Sequence, residues 1–476
     1  MALIPLWSGF TYFPHQEEGI RWMLEKERVG TAVGSEKTVH GGFQCDDMGL
    51  GKTMQICATM VNHKKEKTLL ISPLAMIETW STVFLRAGFS VYEVEGGKWT
   101  RRSTTGHAIP RHFLKMRPSV YISNYEKLYI RPSLFSSSWD RVVLDEAHKI
   151  RNADGRAAAC ARNLQAPLRW AVTGTPLVNS IKDVVSLMAF LGVPCTSPWS
   201  WTTSLQNLFP SMVLHRSMDS LRKVIKGAPP IPEIIQDILP FATEEEEEFY
   251  HGVQGVTEAS LLRYSSELLS SAASFQMLLR LRQLSVHPQV YINAKRREDK
   301  GYARPNWVGP STKLARIGDI LRGDAEGPCH KYILFCQFHE EMALIREYLL
   351  NESLVNDANI LLYHGGLNQE ERSKVLQTSK ETVETTVLLL QLQAGGVGLN
   401  LQEYDRIIFV SPWWTAALMD QAIARAVRMG QTEVVKVFHL QLAAEHDTAI
   451  NIDRMVNAKA LEKRKMLENL FMMARK

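Results

Sequence analysis

No Cys-x-x-Cys pair occurs in this sequence; its six cysteines, at positions 45, 57, 160, 195, 329 and 336, are scattered. That excludes a zinc ribbon or RING-type module and predicts buried free thiols in a reducing compartment. No run approaches the roughly 18 apolar residues of a membrane span. Residues 1–13 are apolar and aromatic but lack the charged segment and cleavage site of a secretory signal. A dominant charge is missing too: 55 Lys and Arg stand against 50 Asp and Glu, a formal net charge of +5 over 476 residues. Nucleic acid is thus permitted as a partner but not demanded, and any basic surface is local. The length predicts roughly two to four domains.

The organising stretch is Cys45-Asp46-Asp47-Met48-Gly49-Leu50-Gly51-Lys52-Thr53. Apolar residues follow at helical spacing: Met54, Ile56, Cys57, Met60 and Val61. This is a glycine loop opening a helix. Free N–H groups at a helix start attract anions, and glycine lets the backbone approach them. Lys52 adds a point charge for β- and γ-phosphates, and Thr53 a hydroxyl for Mg²⁺. Asp46 stands where the strict phosphate-loop pattern has glycine, so the stretch taken alone also reads as an ordinary turn before a helix.

Upstream, Gln16 opens a helix and offers an amide that suits the edge of adenine; it also reads as a solvated helix-start glutamine. Tyr12 or Phe13 could stack on the base or join the core. Downstream, short apolar runs alternate with helical patterns: Thr68–Ser72, Val120–Ser123, Arg141–Leu144 and Trp170–Thr173. This rhythm predicts a parallel sheet with helices on both faces, whose ligands bind beyond the strands' carboxyl ends. There Asp145 can hold a carboxylate near Mg²⁺ and Glu146 can orient or deprotonate a water, with His148 relaying contacts. Lys98–Arg117 has six Lys/Arg and no acid; it reads as a loop that faces a phosphate backbone or merely solvent. Ala228–Pro232 reads as a linker, Thr243 as the cap of an acidic helix start, and Lys295–Arg304 as a basic loop.

Sheet rhythm resumes at Tyr332–Cys336, Ile360–Tyr363, Val387–Leu390, Arg406–Val410 and Val434–His439, without a second phosphate loop. Ala394–Asn400 is a glycine-rich turn. Gln421, Arg425 and Arg428 are spaced to share one helix face. That face is either solvated or presents arginines to a nucleotide.

Taken in order, Gln16, GLGKT, DEAH, TGTP, AGGVGLN and QAxxRxxRxGQ resemble a superfamily-two helicase core. DDMGLGKT, DEAHKIRN, TGTPLVNS, LRQLSVHP and ARAVRMGQ narrow the resemblance to the Swi/Snf family of DNA-dependent ATPases, over nearly the whole chain. PHQEEGIRWMLEKE, RWAVTGTP and PWW suggest its post-replication-repair and transcription-termination branch. The resemblance implies an α/β fold of two RecA-like lobes with helical insertions: a first lobe over 1–200, linker and insertions over 201–310, a second lobe over 311–476. It implies ATP and Mg²⁺ as cofactors, Thr53 and Asp145 holding the metal, and residues 46–53 with Gln16 holding the nucleotide. Lys52, Asp145, Glu146, Gln421, Arg425 and Arg428 would be catalytic. His148, Thr173, Gly174 and Thr175 would couple the lobes, and Pro73, Trp80, Tyr125, Gly395, Gly396, Asn400 and Trp414 would track DNA.

The implied activity is ATP-driven translocation on double-stranded DNA that displaces bound proteins. Strand separation on DNA or RNA and a nucleotide-gated scaffold are the alternatives. Nucleosomes or polymerase complexes are candidate targets, with no membrane partner. The compact size fits a motor with a targeting subunit or a viral version, at the nucleus or a viral replication site. Departures from the family pattern fall at Val178, His215, Gln391-Leu392, Ser411, Thr415-Ala416 and Val427. None touches Lys52, Asp145, Glu146, Arg425 or Arg428, so an active ATPase is expected.

Overall fold

In the computed structural model the described residues are 2–35, 37–102, 118–195, 199–222, 224–225, 227–264, 271–395, 399–443 and 451–474. The chain forms two compact units: Met1–Ala228 with Lys463–Lys476, and Pro229–Glu462. The stretch 201–310, expected as linker and insertions, is thereby divided between them.

The first unit holds one sheet. Its described strands are β1 (Thr31–Val33), β2 (Lys37–Gln44), β3 (Lys67–Ile71), β4 (Ser90–Glu95), β5 (Lys98–Arg101), β6 (Ser119–Ser123), β7 (Arg141–Asp145), β8 (Leu168–Val172) and β9 (Val213–Leu214). The order is β1-β2-β8-β7-β3-β6-β4-β5, with β9 also on β2. All pairings are parallel except the β1–β2 and β4–β5 edges. Alternate residues feed opposite cores. Leu69, Ile71, Val142 and Leu144 join one cluster, whereas Leu70, Val143, Trp170 and Val172 join the other. A sheet covered on both faces needs such continuous apolar strands, which is why these runs were legible.

The second unit repeats the plan with β10 (Glu233–Leu239), β11 (Lys331–Cys336), β12 (Ile360–Tyr363), β13 (Thr386–Gln391), β14 (Arg406–Phe409) and β15 (Lys436–Leu442). The order is β10-β15-β14-β11-β13-β12, wholly parallel. Again Tyr332 and Leu334 face one cluster, Ile333 and Phe335 the other. The helices Glu244–Tyr264, Ser271–Val286 and Pro288–Glu298 carry a smaller core around Tyr250, Leu281 and Tyr291. Thr243 caps the first of them, its Oγ1 accepting the Glu246 N–H at 3.3 Å.

Several expectations are corrected. Lys98–Arg101 is a strand rather than loop, and residues 103–117 lie outside the described set. Lys295–Glu298 is the last turn of a helix, where cations offset the terminal carbonyls. β2 escaped notice because Gly41 and Gly42 interrupt its pattern. Gly41 has φ +115°, and a Cβ there would collide with the Arg169 carbonyl on β8, so only glycine permits this pairing. Of the thiols, Cys45, Cys57 and Cys336 are buried, but Cys329 is exposed.

Candidate functional site

Three parallel strands bring the motifs of the first unit together. Gln44 of β2 pairs with Val172 of β8, and Val172 with Asp145 of β7. The phosphate loop, the Thr173-Gly174-Thr175 turn and the acidic pair therefore leave the sheet at one level. A Cβ on Gly174 would lie 3.7 Å from both the Asp46 carbonyl and Lys52 Nζ, so the β8 exit borders the lysine directly.

The loop is held from beneath. Gly51 precedes the helix Lys52–Asn62 with φ +79°, and a Cβ there would strike the Gln16 amide. Gln16 is buried; its Oε1 accepts the Phe13 N–H at 3.1 Å and its Nε2 donates to the Leu50 carbonyl at 3.4 Å. The same carbonyl accepts from Gln55 Nε2 at 3.2 Å and faces His15 Nε2 at 3.1 Å. Gln16 thus ties the helix start to the loop. Tyr12 joins the core, its hydroxyl donating to the Ile4 carbonyl, whereas Phe13 stacks on His15.

Asp46, standing where glycine was expected, is fully buried with a bidentate partner: Arg216 Nε donates to Oδ1 at 3.0 Å and Nη2 to Oδ2 at 2.5 Å. Gln44 and Gln55 add amide donors at 3.2 and 3.1 Å. Fork-to-carboxylate pairing of this kind is strong and directional. Arg216 also donates to the His15 carbonyl. Arg216 follows His215, one of the departures from the family pattern, and the signal for its role is a basic pair after an apolar helix. Asp47 accepts the Met218 N–H at 2.9 Å. Burial would raise its carboxyl, but His215 and the Met218 N–H hold it below the ordinary carboxylate range. Lys52 Nζ donates to the carbonyls of Asp46, at 2.7 Å, and Asp47, at 3.3 Å. Met48, Thr53 and Lys52 are half-buried, and Gly49 is exposed.

Asp145 sits at the end of a wholly buried strand. Its Oδ2 accepts Trp80 Nε1–H at 2.7 Å and Ser72 Oγ–H at 3.0 Å, and its Oδ1 accepts the Glu146 N–H at 3.1 Å. Burial and the adjacent Glu146 carboxylate push the Asp145 carboxyl up. Glu146 has φ +51°, a left-handed conformation that costs a non-glycine residue energy and is typical of functional turns. Its Oε2 lies 3.3 Å from His148 Nδ1, which lies 3.2 Å from Thr173 Oγ1; that hydroxyl accepts the Thr175 N–H at 3.1 Å. The four expected coupling residues are thus adjacent, and Glu146 leads into them.

The DNA-tracking assignments change. Trp80 and Tyr125 are buried, and their polar tips point at the acid: the Tyr125 hydroxyl donates to the Asp145 carbonyl at 2.7 Å. Pro73 is buried as well. Trp80 and Tyr125 brace the acidic turn, because an amphipathic aromatic ring buried beside a carboxylate satisfies both its apolar body and its polar atom.

In the second unit the helix Ala416–Ile423 ends before the arginines. The shared helical face expected for Gln421, Arg425 and Arg428 therefore does not form. The Arg425 carbonyl accepts the Leu401 N–H at 3.1 Å instead of continuing the helix, and Gly430 at φ +99° closes the turn. Gln421 and Arg425 are buried. Arg428 Nη1 donates to the Leu399 carbonyl at 3.4 Å, and burial lowers its pKa. Gly395 ends the short helix Leu392–Gly395, Gly396 lies outside the described residues, and Asn400 is exposed. Trp414 is half-buried with the Arg282 guanidinium 5.5 Å from its ring centre. Within LRQLSVHP, Ser285 joins a buried pair: Lys313 Nζ lies 2.6 Å from Asp453 Oδ2 and donates to Ser285 at 3.0 Å.

Two α/β units built on parallel sheets, one of them carrying a phosphate loop beside an acidic pair, define a helicase-type ATPase. The SNF2-related domain matches residues 15–290 and the helicase conserved C-terminal domain residues 312–430, and the chain belongs to the SNF2-related family. It is 28% identical over 481 residues to the probable global transactivator of Orgyia pseudotsugata multicapsid polyhedrosis virus, covering 96% of this chain and 91% of that protein. It is 26% identical over 519 residues to the DNA excision repair protein ERCC-6-like of Homo sapiens, covering 90% of this chain but 39% of that protein. The Sulfolobus solfataricus SWI2/SNF2 ATPase core in complex with dsDNA aligns over 99% of this chain and 98% of that one, at 21% identity and a TM-score of 0.41.

Proposed function

We propose that this chain hydrolyses ATP to translocate on double-stranded DNA and displace proteins bound there. The observation that carries the reading is the common level at which β2, β8 and β7 deliver Lys52, Thr173 and Asp145. Membership of the SNF2-related family and a transactivator-named relative support the choice of DNA.

In this reading the amides of Gly49 to Thr53 and the Lys52 ammonium receive the phosphates. Lys52 exchanges the two carbonyls it now contacts for phosphate oxygens, a favourable replacement of neutral acceptors by anionic ones. Thr53 and Asp145 offer two hard oxygen donors. That small set fits Mg²⁺, which keeps several waters and takes the rest of its shell from phosphates. When bound, Mg²⁺ supplies charge neutralisation at the phosphates. Glu146 takes the proton of the attacking water, and His148 and Thr173 carry its movement to the following turn. Arg425 and Arg428 are assigned to stabilise the transferred phosphoryl group. Gripping a backbone of phosphates reads no sequence, so activity is stimulated by any duplex and falls with salt.

The test is ATP hydrolysis with and without duplex DNA, together with displacement of a triplex-forming strand. Stimulation with displacement is expected. Equal rates with and without DNA would overturn translocation, and release of a duplex strand would favour a separating helicase.

A further inference from the structure

The helix Ile452–Ala474 contributes its residues from Lys463 onward to the first unit. There Leu467, Leu470 and Phe471, at i, i+3 and i+4, form one apolar stripe against the cluster of Leu205, Phe209 and Met212. Packing alone would account for a stripe. It does not account for the orientation of Phe471, whose ring lies flat on the imidazole of His215 with centres 3.6 Å apart and planes 3° apart.

His215 Nε2 lies 3.6 Å from Asp47 Oδ1, while its Nδ1 is buried without a hydrogen-bond partner. No hydrogen bond on Nδ1 orients the ring; the stacked Phe471 does. Asp47 is in turn fixed by the Met218 N–H on its other oxygen, and its carbonyl accepts from Lys52 Nζ at 3.3 Å. An unbroken line of neighbours thus runs from Phe471 through His215 and Asp47 to the lysine of the phosphate loop. At the start of the same stretch, Lys463 Nζ donates to Asn179 Oδ1 at 3.1 Å, in the turn that follows Thr175.

We propose that Phe471 is a positioning residue for the phosphate loop: it fixes the plane of His215, His215 sets Asp47, and Asp47 sets Lys52. The inference rests on the reading that this loop binds ATP. It makes nucleotide affinity depend on a residue more than 400 positions downstream of the loop.

The experiment measures affinity for a fluorescent ATP analogue, and steady-state KM and kcat, in the full chain. Phe471→Leu keeps most of the apolar volume but removes the flat ring. It is expected to weaken binding and raise KM roughly fivefold, with kcat at saturating ATP and the melting temperature close to wild type. Phe471→Tyr, which keeps the ring, is expected to bind as wild type, as is Met472→Ala, an exposed neighbour. His215→Ala should weaken binding as Phe471→Leu does, and the double variant should bind no worse than His215→Ala alone. Wild-type affinity in Phe471→Leu, or additive losses in the double variant, would overturn the proposal. A wild-type protein that binds no nucleotide would instead overturn the ATP reading itself.

Discussion

Trp80 donates its indole N–H to the Asp145 carboxylate at 2.7 Å, from a side chain that solvent does not reach. A residue expected on a DNA track is thus a support for the acid. A buried carboxylate that loses one donor is destabilised by roughly 1–3 kcal/mol. Trp80→Phe keeps the ring stack on Phe84 and removes only that donor. The expected result is a kcat lowered about tenfold with unchanged affinity for duplex DNA, measured by steady-state hydrolysis and fluorescence anisotropy. Weaker DNA binding at full kcat would return Trp80 to the track.

Lys52→Ala and Glu146→Gln separate binding from chemistry. The first removes the ammonium that borders the β8 exit and should abolish both nucleotide binding and hydrolysis. The second keeps the shape of the left-handed turn and removes only the carboxylate proposed as the base, so ATP should bind as in wild type while turnover falls by about 10²-fold or more. Filter binding and phosphate release distinguish the two, and a Glu146→Gln variant at full rate would remove Glu146 from the reaction.

Arg216→Met should be the costliest single change near the loop. It leaves the Asp46 carboxylate buried with two amide donors and no cation. Breaking a buried pair on one side costs about 3–5 kcal/mol, read as a large drop in melting temperature with loss of ATP binding. The double change Asp46→Asn with Arg216→Met should recover part of the stability, because no charge is then stranded.

Glu341 is expected to make stability depend on pH. It is fully buried, its Oε2 accepts the N–H groups of Gln337 and Phe338, at 2.7 and 2.9 Å, and Lys313 and Arg282 are the cations that act on it. Burial outweighs these and pushes the carboxyl from 4.5 up to about 7. The native state therefore prefers the protonated form. Its contribution is full below the unfolded value near 4.5 and is lost as pH rises through about 7. Glu341→Gln fixes the neutral form. Relative to wild type its stability should be similar at pH 5 and higher at pH 8, by on the order of 3 kcal/mol, read as a raised melting temperature at pH 8 only. A difference that does not grow with pH would show that Glu341 does not titrate there.

Both sheets were legible because their strands are apolar on two faces, and the loop, acids and threonine turn were legible because each follows such a strand. What stayed hidden has local causes. Two glycines broke the pattern of β2. The reach of Arg216 to Asp46 spans 170 residues, a separation that periodicity does not register. The contacts of Trp80 and Tyr125 with Asp145 are not legible because an aromatic residue near a motif has the same spacing whether it faces solvent or the acid. The arginine helix was extended too far because i, i+4, i+7 spacing is equally met by a helix that stops at Ile423 and a turn held by Leu401.

The pairing of Gln44 with Val172 and of Val172 with Asp145 has a mechanical consequence. Strands joined by peptide hydrogen bonds cannot slide past one another singly, so the spacing between the lysine loop and the two carboxylates is locked by main-chain rungs. Turnover can rotate side chains on that wall and reshape the turns above it. Any larger stroke has to be borne by parts of the chain that those rungs do not clamp.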